Sequence, residues 1–305
     1  MMFHWLQKLS SITAWRRILV LYRAWLAVAD RSIRKADELG YSDGTGIHRS
    51  EVVAIRDGLQ PLEKAVARLG AGDRTVLQFD RYSDLEIASR PLFHAVTRQN
   101  RIDEGENGID EHHTPFWFEY RGALAAVSEA WFECSSRIIA PHRLQGTGAI
   151  PFSPDLEHYL DTVPLPSELP SVPDPAEPLF VYTGRVPPCS GIWEPVAVPP
   201  RKLTLRSLLL IAPPPPPPPF CVVGAMHYLH GGLVAPHAPV STGEEIDCVD
   251  VAWRLLWRDE RYRDGSVPAT ESSYRFAFPR LAPHGAAHPA MRDRTEEKIR
   301  LGYLP

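Results

Sequence analysis

The sequence predicts an α+β protein: an N-terminal helical bundle followed by a small, strongly bent β-sheet or barrel domain with a short helix. Only three of the 31 prolines precede residue 140, and proline is costly inside helices because it removes a backbone donor. Apolar residues recur at helical spacing before this point and in short β-rich runs after it. Because 305 residues are many for one hydrophobic core, we expect a helical domain at 1–140, a proline-rich connection at 141–178, a β-rich domain at 179–278 and a tail at 279–305.

Four amphipathic segments predict the bundle. They run from Ala14 to Leu39, from Ser50 to Gly70, from Ser83 through Val96 and from Pro115 to Pro141. Gly58 and Pro61 predict a kink or a restart within the second segment, and Pro91 allows a kink in the third. Ser83 and Glu86 have the spacing of a capping box, in which each side chain satisfies a free amide of the other residue.

Short runs rich in β-forming residues predict the sheet. They are Leu179–Tyr182, Ile192–Trp193, Leu203–Leu205, Leu208–Ile211 and Phe220–Val223. The prolines of Pro213–Pro219 favour polyproline II in a stiff solvent loop. Val249–Leu256 is compatible with either a strand or a helix, and the run Trp253–Tyr262 fits a short helix with Trp253, Leu256 and Trp257 on one side.

Composition and charge narrow the class of protein. The 33 Lys and Arg residues against 37 Asp and Glu give a net charge of −4 without a basic stripe, so a nucleic-acid partner is not expected. The apolar run Ile18–Tyr22 ends at Arg23, too short for a signal-peptide core or a membrane span. We therefore expect a cytoplasmic protein without a membrane partner, whose four widely spaced cysteines are reduced thiols.

Three groups contain residue types that active sites use. They are His112 and His113 beside Asp110 and Glu111; His227, His230 and His237; and Asp259, Glu260 and Asp264. The first group lies in a charged loop, the second at a predicted strand end and turn, and the third among arginines, as in a surface ion-pair network. Ser190 lacks the Gly-x-Ser-x-Gly elbow of a nucleophile. The sequence thus predicts no catalytic residue, no metal and no cofactor.

Three stretches carry a resemblance to a known family. They are Tyr182–Pro187 with Ser190–Pro195, Met226–Gly232 with Ala235–Pro236, and Trp253–Gly265 with Val267–Pro268. Together they resemble proteobacterial polymorphic-toxin immunity proteins of the related families seventy-one and seventy-two, which are associated with type VI secretion. The resemblance spans roughly residues 180 to 270. It implies a non-enzymatic cytoplasmic inhibitor that binds and neutralises a cognate toxin.

Most residues of these motifs are interpreted as structural rather than as toxin contacts. Trp193, Trp253, Trp257 and Tyr262 are expected to form the small core of the second domain, and Gly184, Gly191, Asp264 and Gly265 belong to the same structural motif.

The hypothesis for the toxin contact is an acidic loop, defined by Asp103, Glu104, Glu106, Asp110 and Glu111. Toxins that attack nucleic acid tend to be basic, and opposite charge raises association rates. The alternative is a loop that is merely solvated.

Two other functions stay open from the sequence. One is a hydrolase that reverses the toxin's modification, using carboxylates such as Asp259 and Asp264; it would rescue below equimolar amounts. The other is an adaptor that loads an effector for secretion, with Pro213–Pro219 as a docking peptide.

Overall fold

Helices build the first half of the protein in the computed structural model, which describes residues 1–78, 82–106, 108–139, 154–198, 216–241 and 246–278. The helices are α1 (Met2–Leu9), α2 (Ile12–Glu38), α3 (Arg49–Gly70), α4 (Asp84–Asp103), α5 (Trp117–Ile138) and α6 (Pro154–Thr162). None of the helices in this described part combines the length and apolar content that crossing a bilayer requires.

Antiparallel strands follow the helices. The strands are β1 (Phe180–Tyr182), β2 (Gly191–Ala197), β3 (His227–Leu229), β4 (Ala238–Ser241), β5 (Ile246–Val249) and β6 (Val251–Arg258). Four of them form one sheet in the order β1-β6-β2-β3, and β4 pairs with β5 in a separate ribbon. The predicted α+β class is confirmed, and the strands of the described ranges form open sheets rather than a closed barrel.

The predicted apolar stripe of α2 is confirmed and lies at the centre of the bundle. Trp15, Tyr22 and Trp25 are buried along this helix, which packs against both α3 and α5. The helix begins at its cap Ser11, whose hydroxyl accepts a hydrogen bond from the Ala14 amide. In the same way Ser83 caps α4 by accepting from the Glu86 amide, which is one of the two hydrogen bonds of the predicted capping box.

The predicted restart within the second helical segment is wrong, and the alternative of a kink stays a prediction. Helix α3 runs without interruption through Pro61 and begins at Arg49, one residue before the predicted Ser50. Likewise α4 continues through Pro91. Both helices bury apolar faces in the bundle, and this burial offsets the roughly 3 kcal/mol that an internal proline costs. Gly58 of α3 lets α4 approach closely, because an added Cβ would lie 2.8 Å from Pro91 Cγ.

The predicted helix at Trp253–Tyr262 is also wrong, because residues 251–258 form strand β6. This strand pairs with β1 through Val181 and Trp253, and with β2 through Trp193 and Leu255. A central strand is covered on both faces, so its sequence is a nearly continuous apolar run that periodicity cannot distinguish from a buried helix. The short helical element lies later, as a 3-10 turn at Ala269–Ser273.

The remaining predicted strands have different outcomes in the structure. The predicted strands at Leu179–Tyr182 and Ile192–Trp193 are confirmed. Phe220–Val223 contributes one isolated bridge, between Val222 and Val196. Helices α1 and α6 were not predicted. The predicted strands at Leu203–Leu205 and Leu208–Ile211, residues 213–215 of the proline run and the tail from 279 lie outside the described residues.

The two faces of the four-stranded sheet belong to different hydrophobic clusters. Ile192, Tyr228 and Leu256 pack into the core of the helical bundle. Trp193 and Trp253 lie in a second cluster within the strand region. The inner face thus shares its core with the helices, and the division into domains at 140, 178 and 278 stays a prediction.

Two glycine substitutions in helices are expected to change stability in opposite directions. Alanine is normally the better helix former by about 1 kcal/mol, and at Gly122 of α5 an added Cβ meets open space. At Gly58 the Cβ would lie 2.4 Å from the Tyr22 hydroxyl and 2.8 Å from Pro91 Cγ. We expect Gly122→Ala to stabilise by about 1 kcal/mol and Gly58→Ala to destabilise by about 1–3 kcal/mol, measured by urea unfolding. Stabilisation by Gly58→Ala would contradict the close helix contact.

Candidate functional site

The acidic loop leaves α4 through a well-defined helix end. Gly105 has φ +83, its amide donates to the Ile102 carbonyl at 3.0 Å, and the Glu106 amide donates to the Arg101 carbonyl at 2.9 Å. These two bonds form a Schellman motif, which uses a left-handed residue to satisfy the last carbonyls of a helix. The motif fixes the direction in which the chain continues from Glu104, the C-cap residue.

Asp110 organises the second part of the loop. Its Oδ1 accepts hydrogen bonds from the amides of His112 at 3.0 Å and His113 at 3.3 Å, an Asx turn. Its Oδ2 lies 2.6 Å from His113 Nδ1. Desolvation acts to raise the pKa of Asp110, but the hydrogen bonds from His113 outweigh it and the pKa is lowered. This carboxylate therefore holds the turn and is not a free charge.

The loop between α2 and α3, residues 39–48, packs against the acidic loop and is called the supporting loop. The Gly46 amide donates to Thr114 Oγ1 at 2.8 Å, and a Cβ on Gly46 would lie 2.8 Å from Ile109 Cδ1. The Tyr41 ring meets the His113 ring edge-on at 4.5 Å between centroids. Two loops that are distant in sequence thus form one packed surface.

The acidic side chains of the loop have different surroundings. Asp103 is half-buried and accepts hydrogen bonds from Arg121 at 3.0 Å and Gln99 at 2.9 Å, so it belongs to the helix packing. Glu104 and Glu111 are exposed and have no ion-pair partner within the described part of the chain.

Glu106 is also exposed, and its only ion pair with a described residue is a long one of 3.8 Å to Arg101. Together with Glu104 and Glu111 it forms what we call the acidic rim: three outward carboxylates with little local compensation. Asp43, on the supporting loop, is exposed as well. The five predicted residues are therefore two structural carboxylates and three that are available to a partner.

An open groove of about 520 Å³ lies beside the acidic rim. Its lining comes from the supporting loop, from α4 and from the acidic loop: Gly46, His48, His94, Thr97, Arg98, Arg101, Ile102, Gly108 and Ile109. Three separate stretches of sequence contribute, so no local motif could have indicated the groove.

Arg98 keeps the groove in shape. Its Nη1 lies 2.6 Å from Glu51 Oε2, and its Nη2 donates to the Gly46 carbonyl. Tyr120 donates its hydroxyl proton to the other oxygen of Glu51. The wall between α4 and the supporting loop is therefore tied to α3 and α5.

The rival acidic group of the sequence does not form an exposed acid–base pair. Asp259 is fully buried, and its Oδ1 lies 2.9 Å from Arg74 Nη2 while its Oδ2 lies 2.8 Å from Arg261 Nη2. Tyr228 donates its hydroxyl proton to Oδ2 at 2.9 Å. Burial acts to lower the pKa of Arg261, but the hydrogen bond and the charge of Asp259 raise it overall. The arrangement is a compensated ionic cluster.

The same cluster joins distant parts of the chain. Arg261 donates to the Gln7 carbonyl at 2.9 Å and to Ser10 Oγ at 2.7 Å. Tyr262 accepts from the Ile12 amide at 2.8 Å and donates to Glu271. The segment after β6 is thereby attached to the junction of α1 and α2.

Asp264 lies apart from this cluster, exposed at a turn. Its Oδ1 accepts from the Ser266 amide at 3.0 Å and from Ser266 Oγ at 2.8 Å. The backbone bond from Ser266 is the largest of the effects that lower the pKa of Asp264. Gly265, with φ +75, donates its amide to the Tyr262 carbonyl at 2.9 Å and completes the turn.

The three histidines near β3 have separate surroundings. His227 meets the Trp253 ring edge-on at 5.3 Å, and burial, followed by the charge of Arg137, lowers the pKa of His227 to about 4. His230 Nε2 lies 2.8 Å from the Ile138 carbonyl. His237 Nε2 lies 3.2 Å from Asp250 Oδ1. In the part of the chain that the structure covers, no three His, Cys, Asp or Glu side chains group as metal ligands.

The remaining motif residues lie in the packed parts of the sheet region. Trp193 and Trp253 are fully buried, and Trp253 Nε1 donates to the Pro236 carbonyl at 2.8 Å. Trp257 is only partly buried, against the helical core, and Tyr262 is buried within that core. The four aromatic residues therefore divide between the two clusters.

Two motif glycines shape the backbone of the sheet region. A Cβ on Gly191 would lie 2.1 Å from the Trp257 carbonyl oxygen, so only glycine allows β2 to approach β6 there. Gly184 has φ +78, and its amide donates to the Ala235 carbonyl at 2.9 Å.

The helical part of the chain matches a known family. Residues 1–146 match the model of the family described as Immunity protein 71, and no curated protein and no solved structure matches the chain. The predicted resemblance to immunity family seventy-one is confirmed. The matched region differs from the predicted one, because the motifs between 180 and 270 lie outside it. Family seventy-two and the association with type VI secretion stay predictions.

Substitution of Asp259 is expected to be severely destabilising. Removing one partner of a buried ionic cluster leaves uncompensated charges, at a cost of about 3–5 kcal/mol, whereas the neighbouring Glu260 forms exposed pairs worth about 0–1 kcal/mol. Urea unfolding of Asp259→Ala and Glu260→Ala should give this difference in the free energy of unfolding. If Asp259→Ala had the same free energy of unfolding as the wild type, the carboxylate would not be part of a stabilising buried cluster.

Proposed function

We propose that this chain, whose residues 1–146 match the Immunity protein 71 family, is a cytoplasmic immunity protein that neutralises a cognate toxin by binding it one-to-one. We further propose, from the sequence resemblance, that the toxin is a type VI secreted effector and that neither nucleic acid nor a membrane is a partner. The observation that carries the mechanism is the acidic rim. Its exposed carboxylates lie within the family-matched segment, on a loop that the helices and a second loop support.

The acidic rim gives the complex its association rate. Glu104 and Glu111 have no ion-pair partner among the described residues, and Glu106 has only the long pair with Arg101. The field of these carboxylates extends into solvent over roughly one Debye length, about 10 Å at 0.1 M salt. A basic toxin is steered toward this field, and its approach is favoured in one orientation. Fast capture suits an inhibitor that must bind its toxin before the toxin reaches its target.

Reversing the charge of the acidic rim should slow toxin binding. We expect the variant Glu104→Lys/Glu106→Lys/Glu111→Lys to lower the association rate constant by about ten-fold or more at ~20 mM salt, and much less at ~0.5 M salt, because salt screens exposed charges. Stopped-flow or surface-based kinetics with the purified product of the neighbouring gene would measure this. Lysine at the C-terminal end of α4 is compatible with the helix dipole, so the fold should persist.

The control changes three other exposed acidic residues, Asp161, Glu168 and Glu177, to lysine and alters the net charge equally. These residues belong to α6 and the following connection, where the Pro170 carbonyl contacts His4 of α1 at 2.9 Å. The acidic loop lies by the other end of α2, where Ser32 donates to the Pro115 carbonyl at 2.5 Å. An equal loss of rate in the control would contradict a localised contact.

Stoichiometry separates inhibition from the two alternatives. Residual toxin activity should fall linearly with added protein and reach its minimum at equimolar amounts, as expected for a tight complex with slow release. Rescue far below equimolarity would favour the hydrolase instead. Deletion of Pro213–Pro219 should leave binding intact, whereas loss of binding would favour the adaptor.

A further inference from the structure

We infer that the groove beside the acidic rim is an anchor pocket for one aromatic side chain of the toxin, flanked on the toxin by basic residues. This inference rests on the proposed function and adds the chemistry of the partner's contact residue. It assigns separate tasks to the rim and to the groove.

The groove's lining suits an aromatic ring. Ile102 and Ile109 supply apolar surface and are packed against the helical core. The imidazoles of His48 and His94 and the guanidinium of Arg101 lie around this apolar surface. An aromatic ring gains by burying area on the isoleucines, and its face attracts a guanidinium.

Other occupants fit this lining less well. A lysine or arginine of the toxin would meet the guanidinium group of Arg101. A small anion would find the Arg98 donors engaged with Glu51 and with the Gly46 carbonyl. The open groove of about 520 Å³ has room for an aromatic ring together with the residues that flank it. An aromatic side chain agrees with the charge of the lining.

The groove is held open before the toxin arrives. Arg98 joins Gly46 to Glu51. Gly46 is in turn bonded to Thr114, which lies between the acidic loop and α5. A pocket of this kind has little ordering entropy to lose on binding. Such buried aromatic anchors dominate the energy of many interfaces and act on the dissociation rate, whereas rim charges act on the association rate.

Filling the groove from one wall tests the inference. A Cβ on Gly108, which lines the groove, meets open space, so Gly108→Trp adds a ring at the groove wall without a backbone clash. The matched control is Gly122→Trp, also an exposed glycine with open space around it and outside the groove lining. With the product of the neighbouring gene, we expect Gly108→Trp to raise the dissociation rate constant about ten-fold or more and to change the association rate less than about two-fold.

A second filling variant, Thr97→Trp, enters from α4, where Thr97 is exposed. It keeps the test decisive should Gly108→Trp fail to fold, as judged by circular dichroism and thermal unfolding. Folded groove variants that release the toxin at the wild-type rate would overturn the anchor pocket. Equal acceleration by Gly122→Trp would also overturn it.

The toxin side identifies the anchor. Each exposed aromatic residue of the toxin is changed to alanine and measured against the wild-type protein and against Gly108→Trp. One change should weaken binding to the wild type about ten-fold or more and binding to Gly108→Trp by less than about two-fold, because contacting residues are not additive. Additive losses for every aromatic residue would exclude the pocket. The proposed function fails separately, if the wild-type chain does not inhibit the toxin at equimolar amounts.

Discussion

The buried carboxylate of Asp259 is the constraint on which the arrangement of sheet and helices depends. It lies between Arg74, which follows α3, and Arg261, which follows β6, and Arg261 also bonds to the junction of α1 and α2. A lone buried charge would be too costly to tolerate, so each member of the cluster requires the others. The sheet therefore packs on the bundle in the one orientation that satisfies all of them.

The charged side chains near the two ends of α2 differ in burial. Near Ile12 the charges are buried and ion-paired, and they attach the segment after β6 to the helices. Near Ser32 the acidic loop is attached, and its outward carboxylates are exposed with little compensation. The 27 residues from Ile12 to Glu38 span about 40 Å, so the acidic loop and the buried cluster lie far apart along this helix. In the proposed complex, steering by the rim and anchoring in the groove act on different rate constants.

Local patterns predicted the parts of the fold that local forces decide. The stripe of α2 and the cap at Ser83 were correct because helical periodicity and capping need only nearby residues. The restart at Pro61 and the helix at Trp253–Tyr262 were wrong because burial against other elements overrode local preference. The acidic loop was visible as a run of charge, but its division between structural Asp103 and Asp110 and the outward glutamates depends on Arg121 and on the Asx turn.

The sequence by itself determined the order of helices before strands, the central amphipathic helix, the acidic loop and the resemblance to an immunity family, since each is written in neighbouring residues or in a linear match. Tertiary structure alone decided the rest. It buried Asp259 among arginines and made residues 251–258, with Trp253 and Trp257, a strand. It also assembled the groove, to which Gly46, Ile102 and Ile109 contribute. These features depend on which distant segments meet, and that is set by the sum of burial and charge compensation over the whole chain. No single stretch of the sequence carries that sum.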